Sequence, residues 1–393
     1  MSDWPEGWYR GEQGQASARQ AGPAGPGNAP GNAGWPDQPP TRSSVPAEVD
    51  PYGPPTERRV YQWGGRRWRF WGQPGRHGRR IALIAGLVVV VLIVATVGSY
   101  FWLNSKLNRS VALPAFSGQS AGTNWLITGA DSRQGLSTKQ IIELHTGFDF
   151  GTENSDSIML LHLGGPKPVL ISIPRDSYVP IPGHGENKIN AALGFGGAPL
   201  LIQTVENVTG LRINHYMGIG FGGLVNVVDQ IGGVEICLKT ALHDQNSGLN
   251  LSAGCHNLNG AQSLAFVRDR DSFPTEDLQR IQDQRLFLSA LLKKATTPGV
   301  YLNPFTALPF GSTAASSMAV DKGTSLYDLA QAAFALRNPL TGTVPVANAN
   351  YETSNAGDAV LWNRTQALQL FNALKNNQAV PKGLLSGTTI GTQ

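Results

Sequence analysis

Residues 125–129 (WLITG), 157–163 (SIMLLHL) and 169–173 (VLISI) decide how this chain folds. Each run is too short for a buried helix and ends in Gly, a polar turn or Pro174, which is how interior strands read. Downstream, 190–211 is helix-like with an interruption at 194–199. A strand follows at 215–219, a helix around 221–231 and a strand at 234–238. Short apolar strands alternating with helices place the chain in the α/β class, as an α/β/α sandwich with a mixed central sheet.

Residues 277–294 (DLQRIQDQRLFLSALLKK) form the clearest helix, with Leu278, Ile281, Leu288, Leu291 and Leu292 on one side. Arg280 and Gln284, four apart, share a face. Residues 325–336 and 363–374 read as amphipathic helices, with a strand expected at 344–347 between them. These belong to the same domain, taken as 124–380. Residues 104–123 are read as a linker and 381–393, ending rich in Gly, Ser and Thr, as a flexible terminus.

Working outward toward the N-terminus, residues 81–103 carry no charge, and at about 1.5 Å rise per residue they span roughly 35 Å, enough for a bilayer core. The run is long and starts far from the chain's first residue, so it reads as a transmembrane helix and not a cleaved signal. Tyr100, Phe101 and Trp102 stand where an outer aromatic belt would lie. Eight arginines precede the span within 58–80, against Lys106 and Arg109 just after it. By the positive-inside rule the N-terminus is cytoplasmic and the domain extracytoplasmic, on a single-pass membrane protein.

The whole chain has 393 residues, 31 Lys plus Arg, 27 Asp plus Glu and a net charge of +4. That surplus sits in the juxtamembrane arginine block, which suits anionic lipid headgroups, and no nucleic acid partner is expected. Residues 1–57, rich in Gly, Pro and Ala, lack aliphatic periodicity; with the arginine block they make a disordered cytoplasmic tail over 1–80. Two cysteines exclude a disulfide-stapled miniature fold and make a structural zinc site a poor reading. Cys237 and Cys255, 18 apart around a polar loop outside the membrane, are expected to form a disulfide, stabilising by roughly 3 kcal/mol.

Candidate chemistry gathers at strand ends or in tight turns: Asp131 and Arg133 after WLITGA, Asp156 before SIMLL, Arg175 and Asp176 after VLISIP, and Arg268 and Arg270 after LAFV. Ligands of α/β sheets bind beyond the carboxyl ends of strands. Arginine forks match phosphate oxygens, and paired carboxylates hold Mg²⁺ (or Mn²⁺) that bridges phosphates, so the set suits a phosphorylated ligand.

Six stretches in order carry a resemblance: GADSRQG (129–135), SDSIMLLHL (155–163), SIPRDSYV (172–179), KINAAL (188–193), VVDQIGGVEI (227–236) and LNGAQSLAFVRDR (258–270), continued by DLQRIQDQ (277–284). Over about 124–295 the chain resembles the LytR-CpsA-Psr family of cell-wall phosphotransferases, of actinobacterial type. The resemblance implies transfer of a glycopolymer from a polyprenyl-pyrophosphate carrier to peptidoglycan, at a hydroxyl taken to be the 6-hydroxyl of N-acetylmuramic acid. The polymer would be arabinogalactan, another wall polysaccharide or a teichoic-acid-like chain. On this pattern Asp131 and Asp156 position the metal, and Arg133, Arg175, Arg268, Arg270 and Gln284 surround the pyrophosphate, with Asp277 and Arg280 supporting. An apolar tunnel for the polyprenyl tail, lined in part by the 277–294 helix, is also implied. Asp131 or Asp176 would accept the acceptor's proton.

The chain departs from the family pattern at Asn154, where many members carry a basic residue. It departs also at Asp283-Gln284-Arg285, in place of Arg-Gln-Gln, and in the insertion-like stretch 136–154. Two alternatives use the same site: a polyprenyl-pyrophosphate pyrophosphatase with water as acceptor, and a non-catalytic regulator that binds lipid phosphates.

Overall fold

The computed structural model describes residues 76–133, 136–146, 155–269 and 276–385, without the side chains of Arg76, Asp156 and 276–282. Of the stretch 1–80 read as a disordered tail, 1–75 therefore lie outside the described residues, while 76–80 are helical. The chain divides into two units, 10–89 and 90–393 with 1–9. In the first, the described residues 76–89 are all helical.

They open helix α1, Arg76–Ser105, the one helix among the described residues long and apolar enough to cross a membrane. At about 1.5 Å per residue its length is roughly 45 Å.

In the second unit, strands β1 (Asn108–Val111) and β2 (Thr123–Ala130) precede the short helix α2 (Thr138–Glu143). Then come β3 (Ser155–Leu163), β4 (Val169–Ile173), the ribbon β5 (Tyr178–Ile181) and β6 (Gly185–Lys188), and α3 (Ala191–Thr209). Strand β7 (His215–Ile219), helix α4 (Phe221–Gln230) and strands β8 (Val234–Leu238), β9 (Leu242–Asp244), β10 (Leu249–Leu251) and β11 (Gly254–Leu258) follow. Helices α5 (Gly260–Arg268), α6 (Glu276–Ala295), α7 (Pro298–Tyr301) and α8 (Pro304–Ser317) lead to β12 (Met318–Asp321). The chain closes with α9 (Leu326–Ala335), β13 (Leu340–Thr343), β14 (Val346–Thr353), β15 (Gly357–Trp362) and α10 (Arg364–Lys375).

Seven strands form the central sheet in the order β1-β12-β7-β2-β3-β4-β13. The β1–β12, β2–β7 and β4–β13 pairs are parallel and the others antiparallel, so the sheet is mixed as expected. Side chains alternate between its faces. Leu126, Ile158, Leu160 and Ile171 point into a core shared with α3 and α10. Trp125, Ile127, Met159, Leu161 and Leu170 point the other way, toward α9 and α6. That alternation makes the three-layer sandwich.

Local chemistry sets several boundaries. The interruption of α3 falls at Gly196 and Gly197, the latter at φ 65°, a left-handed conformation that glycine adopts at little cost. Reciprocal side-chain caps start α5 (Asn259 with Gln262) and α9 (Ser325 with Asp328). Gly260 packs against the Val225 backbone, where a Cβ would come within 2.5 Å of a carbonyl oxygen, so α5 lies close on α4.

Three expectations shift. Strand β1 lies inside the 104–123 stretch read as a linker and pairs with β12. Residues 381–385 were read as part of a flexible terminus, yet Leu384 and Leu385 are buried in the core, where the Leu385 side chain lies on the bare face of Gly342. Of the strand expected at 344–347, only 346–347 are extended, as the start of β14; 344–345 separate it from β13. Cys237 and Cys255 form the expected disulfide, directly opposite each other across β8–β11 with Cα atoms 3.9 Å apart; the intervening chain folds into the β9–β10 ribbon.

Candidate active site at the head of an apolar cavity

Strands β2, β4 and β7 run in one direction and β3 runs against them. The C-terminal ends of three strands and the start of the fourth therefore meet at one end of the sheet. Register places Ala130 opposite Ser155 and Ile173 opposite Ile158, so Asp131, the Asp156 position and Arg175 leave adjacent strands at that end.

Each described side chain there is held by a distinct set of contacts. Arg133 Nη1 lies 3.1 Å from Asp131 Oδ1, and its Nε and Nη2 donate to the Thr146 carbonyl at 2.9 and 2.6 Å. Arg175 Nε lies 3.2 Å from Asp176 Oδ2, and Lys188 Nζ lies 3.2 Å from Asp176 Oδ1. The turn carrying Arg175 and Asp176 is fixed from below: Ser177 Oγ donates to the Pro174 carbonyl at 2.6 Å and accepts from Trp362 Nε1 at 2.8 Å.

Arg268 ends α5. Its Nη1 and Nη2 donate to the carbonyls of Leu144 and His145 at 3.2 Å each, and its guanidinium stacks 5.0 Å above the Phe221 ring. The insertion-like stretch 136–154 thus contains α2 and, just after it, a turn whose carbonyls at Leu144, His145 and Thr146 receive donors from two of the site arginines. Gln284 Nε2 donates to the Val267 carbonyl at 3.3 Å, tying α6 to α5.

Below these groups lies a cavity of about 350 Å³, within the size range of ligand sites. Its walls are β2 and β7 of the sheet, α4 to α6, and α8 and α9. Apart from Thr128, Ser157, Arg268 and Gln284, every lining residue is apolar or glycine. Leu288, Leu291 and Leu292 of α6 contribute, as the implied tunnel required. An apolar cavity with a guanidinium and an amide at one end is built for an amphiphile with an anionic head.

Two residues were not singled out in the sequence. Lys188 opens KINAAL, and the β5–β6 register, Tyr178 opposite Lys188, brings it to Asp176. Arg285 is 3% exposed, donates from Nε to Ser172 Oγ at 2.9 Å and from Nη2 to Thr343 Oγ1 at 2.7 Å, and bonds the Gly342 carbonyl. Burial pulls its guanidinium down to about 10. Its spacing gave the signal: positions 278, 281, 285, 288 and 292 are one apolar stripe, so a charge at 285 must be buried and bonded. Arg270 and the side chains of Asp156, Asp277 and Arg280 lie outside the described residues; Arg280 sits one turn before Gln284 on α6. Among the described residues, no three His, Cys, Asp or Glu side chains cluster as metal ligands.

Known proteins extend this picture. The LytR_cpsA_psr family profile matches residues 100–375. A Corynebacterium glutamicum protein named "Probable cell wall biosynthesis protein LcpB" is 46% identical over 299 residues, covering 75% of this chain and 71% of its own. An Oceanobacillus iheyensis protein named as a polyisoprenyl-teichoic acid–peptidoglycan teichoic acid transferase, TagU, is 29% identical over 62% of this chain and 74% of its own. Among solved structures, a LytR-Csp2A-Psr enzyme from Actinomyces oris superposes with a TM-score of 0.54 at 22% identity, over 69% of this chain and 96% of that one. The fold, the motif order and the profile agree: this chain belongs to the LytR-CpsA-Psr family.

Proposed function

We propose that the protein is a membrane-anchored phosphotransferase that moves a glycopolymer from a polyprenyl-pyrophosphate carrier onto peptidoglycan. The observation that carries this reading is the junction of the apolar cavity with Arg268 and Gln284 beside the strand ends bearing Asp131 and Arg175. The polyprenyl chain occupies the cavity and the pyrophosphate meets the arginines. The names of the C. glutamicum and O. iheyensis relatives support a wall-polymer substrate.

In the reaction, the acceptor hydroxyl oxygen attacks the phosphorus that carries the glycan. The bond from that phosphorus to the bridging oxygen breaks, and polyprenyl phosphate leaves with the electron pair. The acceptor's proton passes to a carboxylate, Asp131 or Asp176. The protein's task is to align the two substrates and neutralise charge that spreads over the phosphoryl oxygens, which needs no covalent nucleophile. Arg268 bonds the Leu144 and His145 carbonyls after α2 in the structure, and phosphate oxygens are stronger acceptors for the same donors. Arg175 would join Arg268 in the anion-binding pocket, where the family pattern also expects Arg270 and Arg280, with Arg133 bracing Asp131.

Two carboxylates on adjacent paired strand ends, Asp131 and Asp156, suit Mg²⁺, which takes one or two carboxylates and fills its remaining positions with water and phosphate oxygens. When bound, the ion would offset the pyrophosphate's charge. The arginine block before the apolar run 81–103 and the sparse basic residues after it support a domain outside the membrane and an N-terminus in the cytoplasm.

Full-length protein in lipid nanodiscs, given a polyprenyl-pyrophosphate oligosaccharide, peptidoglycan fragments and Mg²⁺, should yield glycan joined to the fragment. Arg268→Ala should lose about 100-fold in rate, the scale of removing one transition-state donor. Phosphate release without joining would indicate a pyrophosphatase, and tight binding without turnover a lipid-phosphate-binding regulator.

A further inference from the structure

Between Lys294 and Asp321 the chain has no charged residue, yet this stretch, holding α7 and α8, lies largely on the surface. Its exposed side chains include the large apolar Tyr301, Leu302 at 70% and Phe305 at 87% exposure. A water-facing helix pair without charge, led by aromatics, is unusual for a soluble surface.

The neighbour of α8 explains it. Leu308, Pro309, Ser312 and Thr313 of α8 face Gly98, Ser99 and Trp102 of α1 across a shared cleft, and a Cβ on Gly311 would lie 3.3 Å from Leu103. Those α1 residues belong to the last turns of the apolar span, at its aromatic end. The junction is fixed by hydrogen bonds. Asn104 Oδ1 accepts from the Leu326 N–H at the start of α9 and from Arg109 Nη2, and Arg109 Nε donates to the Thr324 carbonyl. An element held beside the final turns of a membrane span must itself sit at the lipid–water boundary.

We propose that α7 and α8 form a second membrane contact, with Tyr301, Leu302 and Phe305 inserted into the outer leaflet's interfacial layer. This rests on α1 being the membrane anchor. Interfacial elements of this type bury apolar and aromatic side chains just below the headgroups.

The other side of α8 gives the contact a purpose. Phe310, Gly311, Ala314 and Ala315 line the cavity. At about 30 Å³ per water-sized group, 350 Å³ accommodates on the order of a dozen methylenes, so a long polyprenyl chain extends beyond it. With α8 seated in the interface, the chain passes from the bilayer into the cavity along one apolar helix without crossing water.

The test reads depth and is independent of catalysis. Both native cysteines are in the disulfide, so a single introduced thiol labels cleanly. Full-length Leu302→Cys and Phe305→Cys, carrying an environment-sensitive NBD probe, are reconstituted in nanodiscs of phosphatidylglycerol and phosphatidylethanolamine. Tyr351→Cys, on the exposed β14 strand, is the reference. Expected are blue-shifted emission at 302 and 305, quenching by spin-labelled lipid tails, and loss of quenching by aqueous iodide, with the reverse at 351. Iodide-accessible probes at both positions would overturn the proposal. So would probes shielded from iodide but untouched by spin-labelled lipid, which would mean that protein covers the surface. Wild-type transfer failing while the probes behave as expected would refute the assigned reaction and leave the membrane contact standing.

Discussion

On one face of the central sheet, Leu126, Leu160 and Ile171, with Leu201 and Ile202 of α3, are fully or almost fully buried in a filled core. On the other, Ile127, Met159 and Met217 border a cavity of about 350 Å³. The same strands supply both faces, one residue apart, so hydrophobicity alone does not distinguish them. The difference lies in the covering helices. The filled face meets α3 and α10, which present Leu201, Val205, Leu370 and Leu374 to the strands. The open face is roofed by α8 and α9, whose inward residues include Gly311, Ala314, Ala315, Ala330, Ala332 and Ala333. Small side chains there leave the space between these helices and the sheet unfilled. One face is built for stability and the other leaves stability unused to make room for a ligand.

The contrast makes a measurable stability claim. Leu160→Ala, on the filled face, should cost about 4 kcal/mol in denaturant unfolding, because it opens a void that packed neighbours cannot close. Leu288→Ala, bordering the cavity, should cost only about 1 kcal/mol, since one side of that leucine already lacks partners. Equal losses would mean that the two faces are packed alike.

A smaller effect separates the faces by pH. Glu206 of α3 is buried on the filled face and accepts from the Ile213 N–H at 2.9 Å. Burial raises its carboxyl to about 7 from the ordinary 4.5, against the opposing pull of that hydrogen bond and of Arg212. A raised carboxyl favours the neutral form in the folded state. Its stabilising contribution is therefore full below pH 4.5 and is lost as pH rises through 7. Glu206→Gln should flatten the unfolding profile across that window; an unchanged slope would assign the titration to another group.

The sheet was legible because short apolar runs such as residues 125–129 and 157–163, too short for buried helices and closed by glycine or polar turns, encode interior strands directly. The gathering of candidate groups was legible where they follow strand ends, as Asp131 and Arg175 do, because strands of one direction finish at the same side of a sheet; Arg268 instead ends helix α5, where the run LAFV gave no strand. Lys188 escaped notice because only the turn between β5 and β6 sets its distance from Asp176. Arg285 was read as a departure from a motif, when its place in an apolar stripe marked it as a buried link between α6 and the β4 and β13 strands. The cavity itself was inferred by family resemblance. An apolar stripe looks the same in sequence whether its residues fill a core or line a void, and the alanines of α8 and α9 read as ordinary helix formers. Likewise β1 was hidden in a linker because a four-residue edge strand carries almost no pattern of its own.

The central claim is that the apolar cavity and the arginine at its head bind one ligand, a polyprenyl pyrophosphate. The most direct measurement is the affinity of full-length protein for a series of isoprenyl pyrophosphates of increasing chain length, beside Ala314→Phe, which narrows the cavity. Each newly buried methylene contributes about 0.8 kcal/mol. Affinity should rise steeply with length until the cavity is full, and Ala314→Phe should remove that rise while leaving the shortest ligand's affinity unchanged. Affinity that ignores chain length, or a length dependence untouched by Ala314→Phe, would contradict the account.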